Sequence, residues 1–267
     1  MNDSLKRPDG EDLEYDDRFV AYLEAIWGEG FLSPGGPEEV AAILEGSTIA
    51  GRSLLDIGCG IGGCDLELVR RHGAGQVLGI DVEPQLITQC EALAARHGLE
   101  ERLSFRLVEP GPLPFEPASF DAVFSKDAMI HIPDKAALFR EVLRVLRPGG
   151  LFLASDWLRG SSGPQSALMQ AWMKSAELSF RMATPEETAA AMTAAGFEAV
   201  EVRDRADWFR QQCRRDLATV EGPAREALIA TQGAAGAETL IERTRMRIGL
   251  ADSRELLPCH LKGERPA

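Results

Sequence analysis

Three glycines at alternate positions stand in the segment Leu54-Leu55-Asp56-Ile57-Gly58-Cys59-Gly60-Ile61-Gly62-Gly63. An apolar run of strand length leads into them and an amphipathic stretch follows. Residues without a side chain let the backbone turn tightly from a strand into a helix and let a ligand press against it. Gly58-x-Gly60-x-x-Gly63 also satisfies the spacing of a dinucleotide-binding turn, so the glycines alone leave the ligand open. Asp56, two residues before the first glycine, would repel a pyrophosphate and suits a ligand with a positive amino end. Asp81 closes the next apolar run, 25 residues after Asp56, where an acidic side chain accepts ribose hydroxyls.

From Arg52 on, short apolar runs alternate with amphipathic stretches. Strands are expected over 53–57, 76–81, 103–108, 120–125, 151–156 and 198–202. Helices are expected through Arg71 and over 84–97 and 135–146. This alternation implies a mostly parallel sheet with helices on both faces. Residues 256–262 are expected as a final edge strand, which makes seven strands and a terminal antiparallel hairpin. Thr184-Pro185-Glu186-Glu187 carries a helix start, with a capping hydroxyl, proline at the first helical position and glutamate at the third; Gly196 ends that helix. Residues 15–46 read as two helices around the turn Ser33-Pro34-Gly35-Gly36. The expected organisation is a polar tail over 1–14, a helical lid over 15–50 and a core over 51–267, with helical insertions at about 158–183 and 207–250.

Composition narrows the partners. The net charge is -13 and no block of clustered Lys and Arg occurs, so nucleic acid and anionic membranes are disfavoured. No apolar run approaches the roughly 20 residues that span a bilayer. The segment 1–17 lacks the apolar stretch of a secretory signal, and a cytoplasmic location is expected. Cys59, Cys64, Cys90, Cys213 and Cys259 are scattered and odd in number, which suits reduced thiols. His72, His97, His131 and His260 form no i, i+4 pair, and no metal site is expected.

The glycine motif begins about fifty residues into the chain, and Leu143-Arg144-Val145-Leu146-Arg147-Pro148-Gly149-Gly150 leads into the fifth strand. From about Arg52 to Asp156 the chain resembles the class I S-adenosylmethionine (SAM)-dependent methyltransferases. The resemblance implies a Rossmann-like fold with SAM as cofactor. It places Gly58, Gly60 and Gly62 along the methionine moiety, with Asp56 and Cys59 in the same turn. Asp81 then holds ribose beside Val82, Glu109 lies near the adenine amine, and Ser125 joins the site from the end of the fourth strand.

Ligands of open parallel sheets sit beyond the carboxyl ends of the strands. Asp127 and His131 follow strand four and so hang over the cofactor's reactive end. An amine must lose a proton before its lone pair attacks a methyl carbon. A histidine of near-neutral pKa can take that proton, and a carboxylate can orient a cationic amine.

Two segments, Tyr22 to Gly36 and Ser125 to Ile132, resemble the phosphoethanolamine N-methyltransferases and, more weakly, the sarcosine/dimethylglycine methyltransferases. In the first family a tyrosine precedes the Gly-Glu pair by thirteen residues, and Tyr15 stands there before Gly28. The resemblance implies a catalytic pair of Tyr15 and His131, and contacts of Leu32 and Ser33 with SAM. The chain also departs from the family. Its Ser-Arg-Asp is Ser125-Lys126-Asp127, and the tyrosine after the strand-five aspartate is Trp157. The phosphate-gripping tyrosines and arginine of the 174–180 region fall on Lys174, Leu178 and Phe180, while Arg247 keeps a cation where the family has lysine. A carboxylate-bearing or smaller acceptor is compatible with these changes.

Trp27, Phe31 and Trp157 are candidates for an aromatic wall around a methylated ammonium or sulfonium, and Trp172 and Trp208 read as packing residues. The expected function is methyl transfer to a small-molecule amine of the ethanolamine, phosphoethanolamine or glycine-derivative type. An S- or O-methyltransferase of a thioether, carboxylate or hydroxyl compound is the alternative, and a SAM-binding module without catalysis is another. The oligomeric state is left open.

Overall fold

The computed structural model describes residues 17–176 and 180–267; Tyr15, the tail 1–14 and Leu178 lie outside the described residues. Seven strands form one sheet: β1 (Ser53–Ile57), β2 (Gln76–Asp81), β3 (Leu103–Leu107), β4 (Phe120–Lys126), β5 (Leu146–Arg159), β6 (Glu198–Asp204) and β7 (Leu256–Glu264). Their order is β3-β2-β1-β4-β5-β7-β6. The pairs among β1 to β5 are parallel, and β7 runs antiparallel to both β5 and β6. This is a Rossmann-like sheet with the expected terminal antiparallel hairpin.

The last strand corrects the expected edge position. β7 lies inside the sheet, and β6 is the edge. Six consecutive residues from Leu256 to Leu261 are buried, as a strand covered on both faces requires. β6 has the charges that protect an edge, with Glu198, Glu201 and Asp204 exposed. Pro258 is tolerated in β7 because β6 pairs no further than Cys259, and beyond it the Arg205 amide donates to the Pro258 carbonyl at 3.0 Å, a bond that asks for no N–H from proline.

Alternation along the central strands fills two cores. Leu55, Val123 and Phe152 point into one, with Phe139 and Val142 of α5 (Lys135–Val145). Their neighbours Leu54, Phe124 and Leu153 point into the other. There they meet Val40 of α2 (Gly36–Ile43), Leu68 of α3 (Gly63–Arg70) and Leu93 of α4 (Pro84–His97). Period-2 side-chain geometry makes each such neighbouring pair serve opposite faces. The helix opened by Thr184, α7 (Pro185–Ala195), carries the expected capping box and ends at Gly196.

A cap gathers α1 (Asp17–Trp27), α6 (Ala167–Ala176), α8 (Ala206–Glu221) and α9 (Arg225–Asp252), which is kinked at Gly233. Phe209, Cys213 and Leu250 join Trp172 and Ile130 in its core, and Tyr22, Leu23, Leu240 and Ile241 form a second cluster. Among the described residues no helix is long and apolar enough to cross a membrane.

Two contacts fasten the N-terminal segment to the sheet. Buried Glu39 of α2 accepts from Arg205 and meets Nε2 of buried His260 on β7 at 2.5 Å. The Gly63 amide donates to the Gly30 carbonyl at 3.0 Å. A Cβ on Gly63 would lie 2.3 Å from that oxygen. Thus the third glycine of the motif serves the approach of another backbone. Gly63→Ala is expected to destabilise the fold by about 1–3 kcal/mol, read from the urea midpoint at unchanged m-value. An unaltered midpoint would show that the two backbones can part at no cost.

Candidate functional site at the carboxyl ends of the strands

The glycine turn needs its glycines. Gly58, Gly60 and Gly62 have φ of 75°, 57° and 88°, a left-handed conformation that side chains disfavour. A Cβ on Gly58 would meet the Ala128 Cβ at 2.2 Å, and one on Gly60 would meet Leu32 Cδ1 at 3.0 Å. Leu32 therefore packs directly on the turn. Cys59 is buried in it with its sulfur 3.9 Å from that of Cys90, and burial holds its thiol well above the ordinary range.

Asp81 spends most of its acceptor capacity on this turn. Oδ2 accepts from Gly60 at 3.0 Å, and Oδ1 accepts from Val82 at 2.8 Å and Glu83 at 3.1 Å. A carboxylate offers about four lone-pair sites, so in this rotamer about one remains for a ribose hydroxyl. Burial pushes Asp81 up to about 6, against the pull of those three amides.

Asp56 and Asp65 are more exposed to electrostatic cost. Both are almost fully buried, and Asp56 Oδ1 and both oxygens of Asp65 lack a partner among the described residues. Burial first, and then the neighbouring Asp65, hold Asp56 well above the carboxylate range. Burial carries Asp65 up to about 7. Orphaned buried acceptors of this kind fit a cationic ligand group, such as the ammonium of SAM. Half-exposed Val82 and Leu107, at the ends of adjacent strands, offer apolar surface for a nucleobase, with Glu109 exposed nearby in sequence. Ser125 is buried and donates to the Ile57 carbonyl at 2.8 Å, so it joins β4 to β1.

On the other side of Leu32, β4 ends in a charged junction. Lys126 donates to Ser33 Oγ, to the Pro34 carbonyl at 2.9 Å and to Asp127 Oδ2 at 3.0 Å. Asp127 has φ of 57°, rare for a side-chain-bearing residue. It is held there by the Ser155 hydroxyl at 2.7 Å and by its own amide on the Ser155 carbonyl. His131 ends the short 3-10 turn Met129–His131. That turn is fixed from two directions. Asp156 Oδ1 accepts from the Ile130 amide at 2.9 Å, and Lys135 donates to the Met129 carbonyl. Burial raises Asp156 to about 7 and lowers Lys135.

These residues open on a cavity of about 90 Å³. Asp127, Ile130 and His131 line it from the segment after β4, and Leu32 and Ser33 from the turn before α2. α1 contributes Phe19, Tyr22, Leu23 and Trp27; α9 contributes Arg243, Thr244 and Arg247. Trp157, Trp172 and Phe180 complete the lining, with Trp172 and Phe180 stacked at 4.9 Å and 8° and His131 tilted against Phe180 at 5.7 Å. The Arg247 guanidinium lies 5.6 Å from the Trp27 ring centre and donates to Asp216 at 2.7 Å.

Several sequence expectations move. Lys174 is exposed on α6 and does not line the cavity, because the helical period that buries Met169 and Trp172 turns it outward. Phe31 is buried in the second sheet core, drawn there by the Gly30–Gly63 contact. Trp172, read as packing, lines the cavity as well. Tyr22, Arg243 and Thr244 were not singled out. Their signal was spacing: Arg243 and Arg247 stand four apart on one helical face, as do Phe19 and Leu23. Among the described residues no group of three His, Cys, Asp or Glu could hold a metal ion.

A family profile described as a methyltransferase domain matches residues 50–209. The chain belongs to the methyltransferase-domain family. Its members use SAM as methyl donor, and the orphaned carboxyl oxygens and glycine turn fit that molecule. The chain is 32% identical to phosphoethanolamine N-methyltransferase 1 of Arabidopsis thaliana over 79% of its own length and 42% of the relative's. The chain thus spans under half the length of such curated relatives. A solved phosphoethanolamine N-methyltransferase 2 of Haemonchus contortus, in complex with phosphomonomethylethanolamine and S-adenosylhomocysteine, superposes with a TM-score of 0.86 at 25% identity, over 95% of this chain and 59% of that one. A candidate sarcosine dimethylglycine methyltransferase of Galdieria sulphuraria, at 20% identity, shares the fold with a TM-score of 0.79, over 94% of this chain and 99% of that one.

Two measurements test the cofactor side. Asp81→Ala is expected to weaken SAM binding by about 1–3 kcal/mol, since both a ribose acceptor and the hold on Gly60 are lost. Unchanged calorimetric affinity in a folded variant would contradict this. Above about pH 4 the folded protein keeps protons that the unfolded chain has released, on Asp81 up to about 6 and on Asp65 up to about 7, and burial with the neighbouring Asp65 holds Asp56 above the carboxylate range as well. Their stabilising share is therefore full at low pH and fades as pH rises through that window. A cation placed against them should expel those protons. Titration of SAM at about pH 6.5 in two buffers of different ionisation enthalpy should show net proton release, and none would mean that its ammonium binds elsewhere.

Proposed function

We propose that the chain transfers a methyl group from SAM to a small amine held in the cavity beside Asp127 and His131. The observation that carries this reading is the position of Leu32. It packs on Gly60 of the cofactor turn and lines the cavity, so the two sites share a wall. The family and the phosphoethanolamine N-methyltransferase relatives support the same chemistry.

SAM held by the turn of Gly58, Gly60 and Gly62, with Asp56 and Asp65 toward its ammonium and Asp81 toward its ribose, would supply an electrophilic methyl on a good leaving group. The protein's share is alignment, exclusion of water and removal of one proton per transfer. Asp127, fixed by Lys126 and Ser155, presents a carboxylate edge to a cationic amine. His131, braced by Asp156 and Lys135, accepts the amine proton directly or through water. Trp157, Trp172 and Phe180 give an apolar wall that tolerates a methylated ammonium. Tyr15 is proposed to close over His131 from the segment preceding α1.

If Tyr15 and His131 act as one unit, Tyr15→Phe and His131→Ala should each lower kcat at least about 100-fold with SAM affinity kept. The double variant should be little worse than the worse single one. Additive losses would mean independent roles. Wild-type turnover in both single variants would favour an acceptor that needs no base, such as a thioether.

A further inference from the structure

On the amine-methylation reading above, we infer that Asp216 sets which acceptors the cavity takes. Asp216 does not line the cavity and acts through Arg247, which does. By holding that guanidinium it leaves Arg247 able to donate N–H groups but not to offer its charge to a phosphate.

Arg247 on α9 joins the cavity to a buried ion pair. Its Nη2 donates to Asp216 Oδ2 at 2.7 Å, and the two side chains are 9% and 1% exposed. Asp216 Oδ1 accepts from Gln212 Nε2 at 2.7 Å, one turn back on α8. Both oxygens of the carboxylate are thus engaged, and its charge is held against Arg247 in one arrangement. The packing of α8 on α9 keeps the pair out of water, where salt screens it little.

Such a pair has no spare charge, yet it has spare donors. Arg247 Nε has no acceptor among the described residues, and neither have Trp27 Nε1 and Trp172 Nε1. All three side chains line the cavity, so its wall offers hydrogen bonds that two uncharged indoles and one matched guanidinium supply. A neutral oxygen of a ligand needs no more than that.

A phosphate monoester needs more, because it brings about 1.5 to 2 negative charges at pH 7. Indole N–H groups do not offset those charges once water is excluded. A phosphate at Arg247 would share the guanidinium with Asp216, and the two anions would repel across it. Arg243, the other guanidinium of the lining, donates to the Ser175 carbonyl and lies 5.9 Å from the Phe19 ring centre. What Arg243 gives to a ligand it gives alike with and without the Asp216 charge. The preference therefore turns on Asp216.

The test compares wild-type protein with Asp216→Asn and with the double variant Asp216→Leu/Arg247→Met. Asparagine keeps the shape of the side chain and an oxygen for Arg247 while removing the negative charge. The double variant replaces the pair by apolar side chains, a change that buried pairs often tolerate. S-adenosylhomocysteine formation is followed with ethanolamine and with phosphoethanolamine, and binding of inorganic phosphate to protein loaded with S-adenosylhomocysteine is measured by calorimetry. In Asp216→Asn the kcat/KM ratio of phosphoethanolamine to ethanolamine should rise about ten-fold or more, and phosphate affinity should rise by a similar factor. A role in folding alone would lower both activities together and leave the ratio where it was. Failure of either reading to rise in folded Asp216→Asn would overturn the inference. In the double variant both readings should stay within about three-fold of wild type, since the pair contributes no net charge. A fall of about ten-fold there would mean that Arg247 serves phosphate in spite of Asp216, and would overturn the inference even where Asp216→Asn fails to fold. Methylation of neither amine by protein that binds SAM normally would overturn the amine reading instead, and the phosphate titration would still decide on Asp216.

Discussion

The ammonium of Lys126, 2% exposed, meets Ser33 Oγ, the Pro34 carbonyl and the Asp127 carboxylate, and the cavity wall at the end of β4 hangs on it. Burial takes both groups out of water, and each is the other's partner at 3.0 Å. Two consequences follow. The lid turn is fastened to the end of β4, and Asp127 is kept in a left-handed backbone conformation that nothing local would favour. Lysine suits the junction. Its three protons can point at oxygens on different elements, whereas the planar fork of an arginine is matched to one carboxylate. The change from Ser-Arg-Asp to Ser-Lys-Asp thus alters the junction's geometry without emptying it.

The segment before α2 is bound to the glycine turn by backbone contact as well. The Gly30 carbonyl and the Gly63 amide meet where neither residue has room for a side chain. Leu32, two residues on, presses against Gly60 and also faces the cavity. Any shift of the turn caused by a bound ligand is therefore felt by the residue that separates the two sites. This arrangement makes the lid part of the core in energetic terms, although its sequence texture sets it apart.

The parallel half of the sheet was legible because its strands are covered on both faces and bounded by glycine turns, so runs such as Leu54–Leu55 and Val123–Phe124 could hardly be anything else. β7 was not. Its apolar run was read as an edge, whereas burial of six successive residues and the charges of β6 decide the order. Residues near the glycine turn and after β4 were legible from local motifs. The remaining cavity wall was not, since Trp172, Arg243 and Arg247 converge only through the packing of α6 on α9, across long stretches of chain. Lys174 shows the same limit in reverse: position along the chain suggested the site, and helical phase turned it to solvent.

The two sides of Leu32 carry opposite deficits. Under the glycine turn the unmet groups are acceptors, the oxygens of Asp56 and Asp65. Around the cavity they are donors, on Trp27, Trp172 and Arg247. Each deficit costs stability in the isolated fold, and neither is relieved by Lys135 and backbone amides in the way Asp156 is. Groups of the two kinds cannot satisfy one another across a wall of packed leucine. A cationic group on one side and acceptor oxygens on the other can satisfy both. Stability given up in the empty fold then returns as binding energy, and only for ligands that bring the right groups to the right side.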